Sequence, residues 1–273
     1  MADTDAFERM ERDGWGNPDI AKGYADGFDR ASRQVAAALS EVAAPGADVL
    51  DLCTGHGVVA AACVAKGARV TGLDFSEAMI TLARENVPEA TFVHGDAMHL
   101  SYDDDCFDAV TIGFGVPHFP DPARGLAEAA RVLRPGGRIA FSIWYGKGSP
   151  GSFGWLFDAV GRLGDSSVTL PPGPDAHWLT DHGVATRMVT QAGFYDVAFA
   201  DLDTDLWVPT PAALFDVFAG GAVRAASLLS GQPTDRRDAI RADLARCVLA
   251  QGRAEAGGHF VPAPSLRITA TAT

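Results

Sequence analysis

The residues most able to do chemistry lie in Val49-Leu-Asp-Leu-Cys-Thr-Gly55-His-Gly57-Val-Val-Ala60 and just after it. This stretch reads as a strand, a glycine turn and the start of a helix. Gly55 and Gly57 let a ligand approach the backbone, and the first turn of the helix offers N–H groups with no intrahelical partner. Gly55-x-Gly57-x-x-Ala60 satisfies the dinucleotide fingerprint. Asp74 ends the next apolar run, where its carboxylate can accept both hydroxyls of a ribose or, alternatively, cap the following helix. Asp51 sits inside the first strand; it would repel a pyrophosphate but suits a ligand carrying an ammonium group. Asp96, in Val93-His-Gly-Asp-Ala-Met98, can accept from an adenine amino group.

Positioning these groups takes alternating strands and helices. The strands are expected at 48–52, 69–73, 90–93, 107–112 and 138–144. Helices are expected at 57–66, from Ser76 to about Asn86, and from Pro122 over the stripe Leu126, Ala130, Leu133, with Asp121 as cap. A helix over 18–44 precedes them, with Val35, Leu39 and Val42 on one face. Repeated β-α units at this spacing imply a parallel, doubly wound α/β sheet. Beyond residue 150, helices are expected at 153–163, 181–192, 211–218, 222–230 and 235–250. Two alternating runs, 197–208 and 265–272, would pair at one sheet edge with the helices of 211–250 inserted between them.

The chain has 273 residues, 47% hydrophobic and 21% charged, the balance of a globular protein. Its net charge of −13 argues against general nucleic-acid binding. The start, MADTDAFERMERDGW, has neither the basic head nor the apolar core of a secretion signal, and no apolar run approaches the ~20 residues of a membrane span. The four cysteines form no CxxC pair, so a reducing cytoplasm is the expected location. His94, Asp96 and His99 do not follow a recognised ligand spacing, and no metal is expected.

Five motifs, VLDLCTGHG (49–57), TGLDFSEAM (71–79), HGDAMHL (94–100), FDAVTIGFGVPHFPDP (107–122) and RVLRPGGRIAFSIW (131–144), follow in order. In that order and spacing the chain resembles the class I S-adenosylmethionine-dependent methyltransferases, in particular the small-molecule enzymes and the ubiquinone/menaquinone biosynthesis C-methyltransferases. The resemblance covers about 45–145. It implies a Rossmann-like seven-stranded sheet of order 3-2-1-4-5-7-6 with strand 7 antiparallel, an N-terminal helical lid and a helical cap between strands 6 and 7. The domains expected are a lid at 1–45 and a methyltransferase domain at 46–273. The latter has a cofactor-binding core at 46–145 and cap helices at about 150–192 and 210–252. S-Adenosylmethionine is the implied cofactor, with Asp51, Gly55 and Gly57 at its methionine end, Asp74 at the ribose, Asp96 and Ala97 at the adenine, Gly113 and Phe114 near the methionine moiety and reacting methyl, and Cys53 and Phe75 as further cofactor-binding residues. Cys53 departs from the family, which commonly has glycine there.

Methyl transfer from a sulfonium is an in-line displacement, so the protein mainly positions the acceptor and excludes water. A base is needed only for a nucleophile that arrives protonated. His118, after the fourth strand, is the base candidate, against a role in shaping the pocket wall; Tyr24 is the second candidate, against a packing role. Trp15, Pro117, Trp144, Tyr145, Phe153, His177, Trp178 and Phe218 are the expected substrate contacts, which suggests a small, largely apolar or aromatic acceptor. The expected partner is that small molecule, with no nucleic acid and no membrane; a homodimer stays open. Two other classes compete. One is a cyclase or cofactor-binding protein on the same fold, and the other is a nicotinamide-dependent oxidoreductase, which Asp51 and Asp96 disfavour.

Overall fold

A computed structural model describes residues 4–255 and 257–273. Its elements run α1 (Thr4–Gly16), α2 (Pro18–Leu39), β1 (Asp48–Leu52), α3 (Val58–Ala65), β2 (Arg69–Asp74), α4 (Glu77–Asn86), β3 (Thr91–His94), β4 (Phe107–Ile112), α5 (Pro122–Val132) and β5 (Leu133–Trp144). They continue with α6 (Ser152–Leu163), α7 (His182–Gln191), β6 (Phe194–Leu202), β7 (Asp205–Val208), α8 (Ala213–Gly221), α9 (Val223–Ser230), α10 (Thr234–Gln251), β8 (Arg253–Glu255), β9 (Gly258–Pro262) and β10 (Ser265–Ala272). The chain divides into two compact units, each assembled from three stretches. One comprises residues up to Ala31, Trp144–Gly173 and Asp203–Ser265; the other comprises Ser32–Ile143, Pro174–Leu202 and Leu266–Thr273. The stretch expected as a lid, 1–45, is thus shared between them, and the segment expected as one cap, 150–192, is divided after Gly173.

The second unit is built on a seven-stranded sheet of order β3-β2-β1-β4-β5-β10-β6, the expected order. β1 pairs in parallel with β2 and β4, β2 with β3, and β4 with β5. β10 runs antiparallel to β5; Thr273 N, just past its end, donates to Gly193 O beside the start of β6 at 3.1 Å. The core strands β1 and β4 are almost wholly buried, as apolar runs covered on both faces must be. On β10 the expected face, Leu266, Ile268, Ala270 and Ala272, is the buried one. β5 begins at Leu133 rather than 138. Its register with β4 slips between Leu133 opposite Phe107 and Arg138 opposite Ala109, with Gly136 at φ +79°, so the Pro-Gly-Gly segment is an irregularity within the strand. Helix caps follow the sequence: Ser76 accepts from Met79 N, Asp121 from Arg124 N and Asp181 from Val184 N. The expected helix over 18–44 closes at Leu39 and continues as a 3₁₀ turn, Ser40–Val42.

One expectation is corrected where the chain enters the first unit. The alternating run 197–208 is not one strand. It stops at Leu202, and Thr204 turns the chain away by accepting from Ala263 N at 2.8 Å through its carbonyl and donating its hydroxyl to Ala263 O. Leu206 and Val208 are then buried in a separate antiparallel sheet, β7-β9-β8, which the sequence reading lacked. Its strand β8 has three exposed residues, too few to show a period. The helix α1 lies in the stretch expected to be a helical lid; Phe7, Glu11 and Trp15 form its buried stripe, with Glu11 accepting from Trp15 Nε1 at 3.1 Å and from Arg224 Nε at 2.7 Å. Among the described residues no single helix is long and apolar enough to cross a membrane.

Candidate functional site

The second unit carries all the expected cofactor residues, at or just beyond the carboxyl ends of β1 to β4. That edge is where ligands bind in doubly wound sheets. Asp51 is fully buried near the end of β1. Parallel pairing sets Thr111 of β4 in register with it, and Thr111 Oγ1 donates to Asp51 Oδ1 at 2.7 Å. Thr54, in the glycine loop, donates to Asp51 Oδ2 at 2.7 Å. Burial raises the Asp51 carboxyl to about 6, opposed by the two hydroxyls, while the nearby charge of Asp74 pushes the same way as burial.

Asp74 ends β2 and is also buried. Its Oδ2 accepts from Gly55 N and its Oδ1 from Ser76 N, both at 2.9 Å. One carboxylate therefore pins the glycine loop to the start of α4, whereas the helix cap itself is Ser76. Burial pushes Asp74 above the usual carboxylate range; the backbone donors and the His118 and His94 imidazoles pull the other way. Each carboxylate oxygen has two acceptor sites, so both oxygens keep capacity for a hydroxyl donor.

The loop after β1 explains the departure at Cys53. Its φ is +53°, a left-handed conformation that costs a side-chain-bearing residue roughly 1–2 kcal/mol and glycine nothing. Phe114, beyond β4, is also left-handed at φ +59°, and its N–H donates to Ser142 Oγ at 3.1 Å. Gly115 packs between them, since a Cβ there would lie 2.5 Å from Cys53 Cβ. Two residues in the left-handed region thus lie just beyond the ends of the paired strands β1 and β4, the pattern expected where backbone is held for function. Burial and then the charges of Asp74, Asp51 and Asp96 hold the Cys53 thiol well above its ordinary pKa, so it is no nucleophile at neutral pH. Gly55 has open space on its Cβ side, with nothing closer than Cys53 O at 4.0 Å.

Asp96 Oδ1 accepts from Met98 N at 2.9 Å, and Ala97 is buried beside it. His94 Nε2 donates to Phe75 O at 2.8 Å, while His99 Nδ1 lies 3.5 Å from Asp96. Gly113 is half-buried against Val59. The buried Pro117 and the half-buried His118 lie on a 3₁₀ turn, Val116–His118, closed by His118 N donating to Gly115 O at 2.9 Å. No group of three or more metal-ligating side chains occurs among the described residues.

The expected acceptor contacts are divided. In the first unit, Trp15 meets Tyr24 edge-on, and Tyr24 stacks on Phe28 at 5.1 Å. Phe28 meets Trp144, Phe153 and Phe218, and Trp144 stacks on Phe153 at 5.0 Å. Phe28 and Phe218 are fully buried, so this cluster is first of all the core of that unit. Tyr145 N there donates to Pro264 O. His177 and Trp178 belong to the second unit, before α7. The sequence reading missed Thr54, Thr111 and Ser142. Thr111 had a signal, a lone hydroxyl within the otherwise apolar end of β4.

Residues 50–141, about a third of the chain, match a family described as a methyltransferase domain. Over 97 residues the chain is 48% identical to a demethylmenaquinone methyltransferase of Clavibacter sepedonicus, covering 34% of this chain and 40% of that one. The chain therefore matches less than half the length of such relatives. Among solved structures, the Haloferax volcanii complex of the Trm112 activator with a methyltransferase is similar at 23% identity. That match has a TM-score of 0.59 and covers 97% of this chain and 96% of that one. The [4+2]-cyclase SpnF is similar at 19% identity and TM-score 0.52, covering 88% and 80%. The structural likenesses show the fold, and residues 50–141 carry the similarity to a methyltransferase domain.

Proposed function

We propose that the chain transfers a methyl group from S-adenosylmethionine to a small, largely apolar or aromatic metabolite, with a quinol- or phenol-like ring as the leading acceptor class. One observation carries the cofactor assignment. Asp51, Asp74 and Asp96 stand together at the strand ends, close enough that all three act on Cys53, and the charge acting on Asp51 is that of another carboxylate. Such a cluster repels a pyrophosphate and suits a ligand with an ammonium and a sulfonium. The open side of Gly55 and the spare acceptor capacity of Asp74 fit the same ligand.

In this reading Asp74 holds the ribose hydroxyls and Asp96 the adenine amino group. Asp51 acts on the ammonium through its charge, with Thr54 and Thr111 fixing the carboxylate. When bound, S-adenosylmethionine supplies an electrophilic methyl on a good leaving group, so bond polarisation by the protein is not required. The backbone of Gly113 and Phe114, held by Ser142, shapes the wall beside the methionine end. His118 takes a proton from a hydroxyl acceptor. The ring-methyl acceptor class draws support from the name of the Clavibacter relative, and a non-acidic acceptor from the net charge of −13.

The test is formation of S-adenosylhomocysteine when the purified chain is incubated with S-adenosylmethionine and a panel of phenols and hydroquinones. Product that depends on both components supports the reading. Tight cofactor binding with turnover of an acceptor but no S-adenosylhomocysteine would instead support a cyclase-type activity. A thermal shift with NAD and none with S-adenosylmethionine would overturn the cofactor assignment.

A further inference from the structure

The segment between β3 and β4, residues 95–106, carries Asp96 and Ala97 but forms neither strand nor helix. Its backbone groups must find partners outside a ladder. α5 supplies them from one face, with Arg124, Glu128 and Arg131 at i, i+4 and i+7. Arg124 Nε donates to Met98 O at 2.9 Å. Glu128 Oε2 accepts from Leu100 N at 2.8 Å. Arg131 Nη2 donates to Leu100 O at 3.0 Å, and Nη1 to Tyr102 O at 2.8 Å. The guanidinium is itself fixed, with Nε donating to Glu128 Oε1 at 2.8 Å and Nη1 to Asp104 Oδ1 at 2.8 Å.

We infer that Arg124, Glu128 and Arg131 are positioning residues for nucleobase recognition, their clamp on the main chain of Met98–Tyr102 setting where Asp96 and Ala97 meet the adenine. The inference rests on the proposed function, which places the adenine at Asp96 and Ala97. The clamp begins at Met98, whose own N–H is held by Asp96, so a shift of this backbone moves the carboxylate that accepts from the adenine amino group. Arg131 spans two carbonyls, a carboxylate pair and Asp104 with one planar fork. A lysine has the charge but cannot reproduce that geometry.

The test is calorimetric binding of S-adenosylhomocysteine and of S-inosylhomocysteine, whose 6-oxo group replaces the amino group, to the wild-type chain, R131K and R124Q. The wild type should prefer the adenosyl ligand. R131K should bind it tenfold or more weakly and lose most of that preference, and R124Q should show the same change in smaller measure. A residue that only stabilises the fold would lower the melting temperature and leave the ratio of the two affinities unchanged. Should R131K fail to fold, R124Q carries the comparison. A wild-type ratio in every variant that folds overturns the inference alone. A wild type that binds neither ligand overturns the proposed function and the inference with it.

Discussion

Asp51→Asn separates the cost of a buried carboxylate from its use. Asp51 is fully buried, between the hydroxyls of Thr54 and Thr111. Its pKa of about 6 lies above the ordinary 3.8, so the folded chain binds this proton more tightly than the unfolded chain. The stability this group contributes is therefore highest below pH 4, falls as pH rises from about 4 to about 6, and is level above that. The loss amounts to about 3 kcal/mol at neutral pH. Asparagine imitates the protonated acid, with one acceptor and one donor for the two threonine hydroxyls, and does not titrate. The variant should thus be more stable than the wild type at pH 8, by roughly 5–10 °C in melting temperature, and the gap should close toward pH 4. Circular-dichroism melts from pH 4.5 to 8 read this directly. In the presence of S-adenosylmethionine the order should shrink or invert, because the wild type gains the interaction between carboxylate and ammonium that the variant lacks. A variant less stable than the wild type at pH 8, or a gap constant from pH 5 to pH 8, would refute the reasoning.

Other perturbations probe the same edge of the sheet. Asp74→Asn puts an amide donor against the N–H of Gly55 or Ser76, and should weaken S-adenosylhomocysteine binding by tenfold or more in calorimetry. Gly115→Ala drives a Cβ to 2.5 Å from Cys53 Cβ and 2.8 Å from Ile112 Cγ2, and should cost about 1–3 kcal/mol in denaturant unfolding. Cys53→Val forces a β-branched residue into the left-handed region and should lower the melting temperature, whereas Cys53→Gly should bind S-adenosylhomocysteine as the wild type does. His118→Ala should lower turnover of a hydroxyl acceptor by ~10²–10⁴-fold with cofactor affinity nearly intact; unchanged turnover would remove His118 as the base.

Much of the second unit was legible because its signals are local. Strand periods, the Gly55–Gly57 turn and the caps at Ser76 and Asp121 each act within a few residues, and β-α repetition leaves few ways to order a parallel sheet. Alternation on β10 showed which of its faces is buried, while the reversal of that strand came from the family resemblance. What failed was equally specific. The run 197–208 alternates without interruption, and only the pairing of Thr204 with Ala263, 59 residues away, shows where one strand ends and another begins. The β8–β9 pair is too short for a period.

By itself the sequence determined the doubly wound sheet and the acids and glycines at its carboxyl edge, because these follow from spacing along the chain. Only the tertiary structure decided how those groups are held. Asp51 meets Thr111 because two strands pair in register, and Cys53 meets Gly115 because two loops leave neighbouring strands. The carbonyls after β3 meet Arg124 and Arg131 because α5 returns across them. Those partners are 26 to 62 residues apart in sequence, and no local period records them. The aromatic residues taken for substrate contacts make the same point, since composition cannot separate a core cluster from a pocket wall: both bury the same rings.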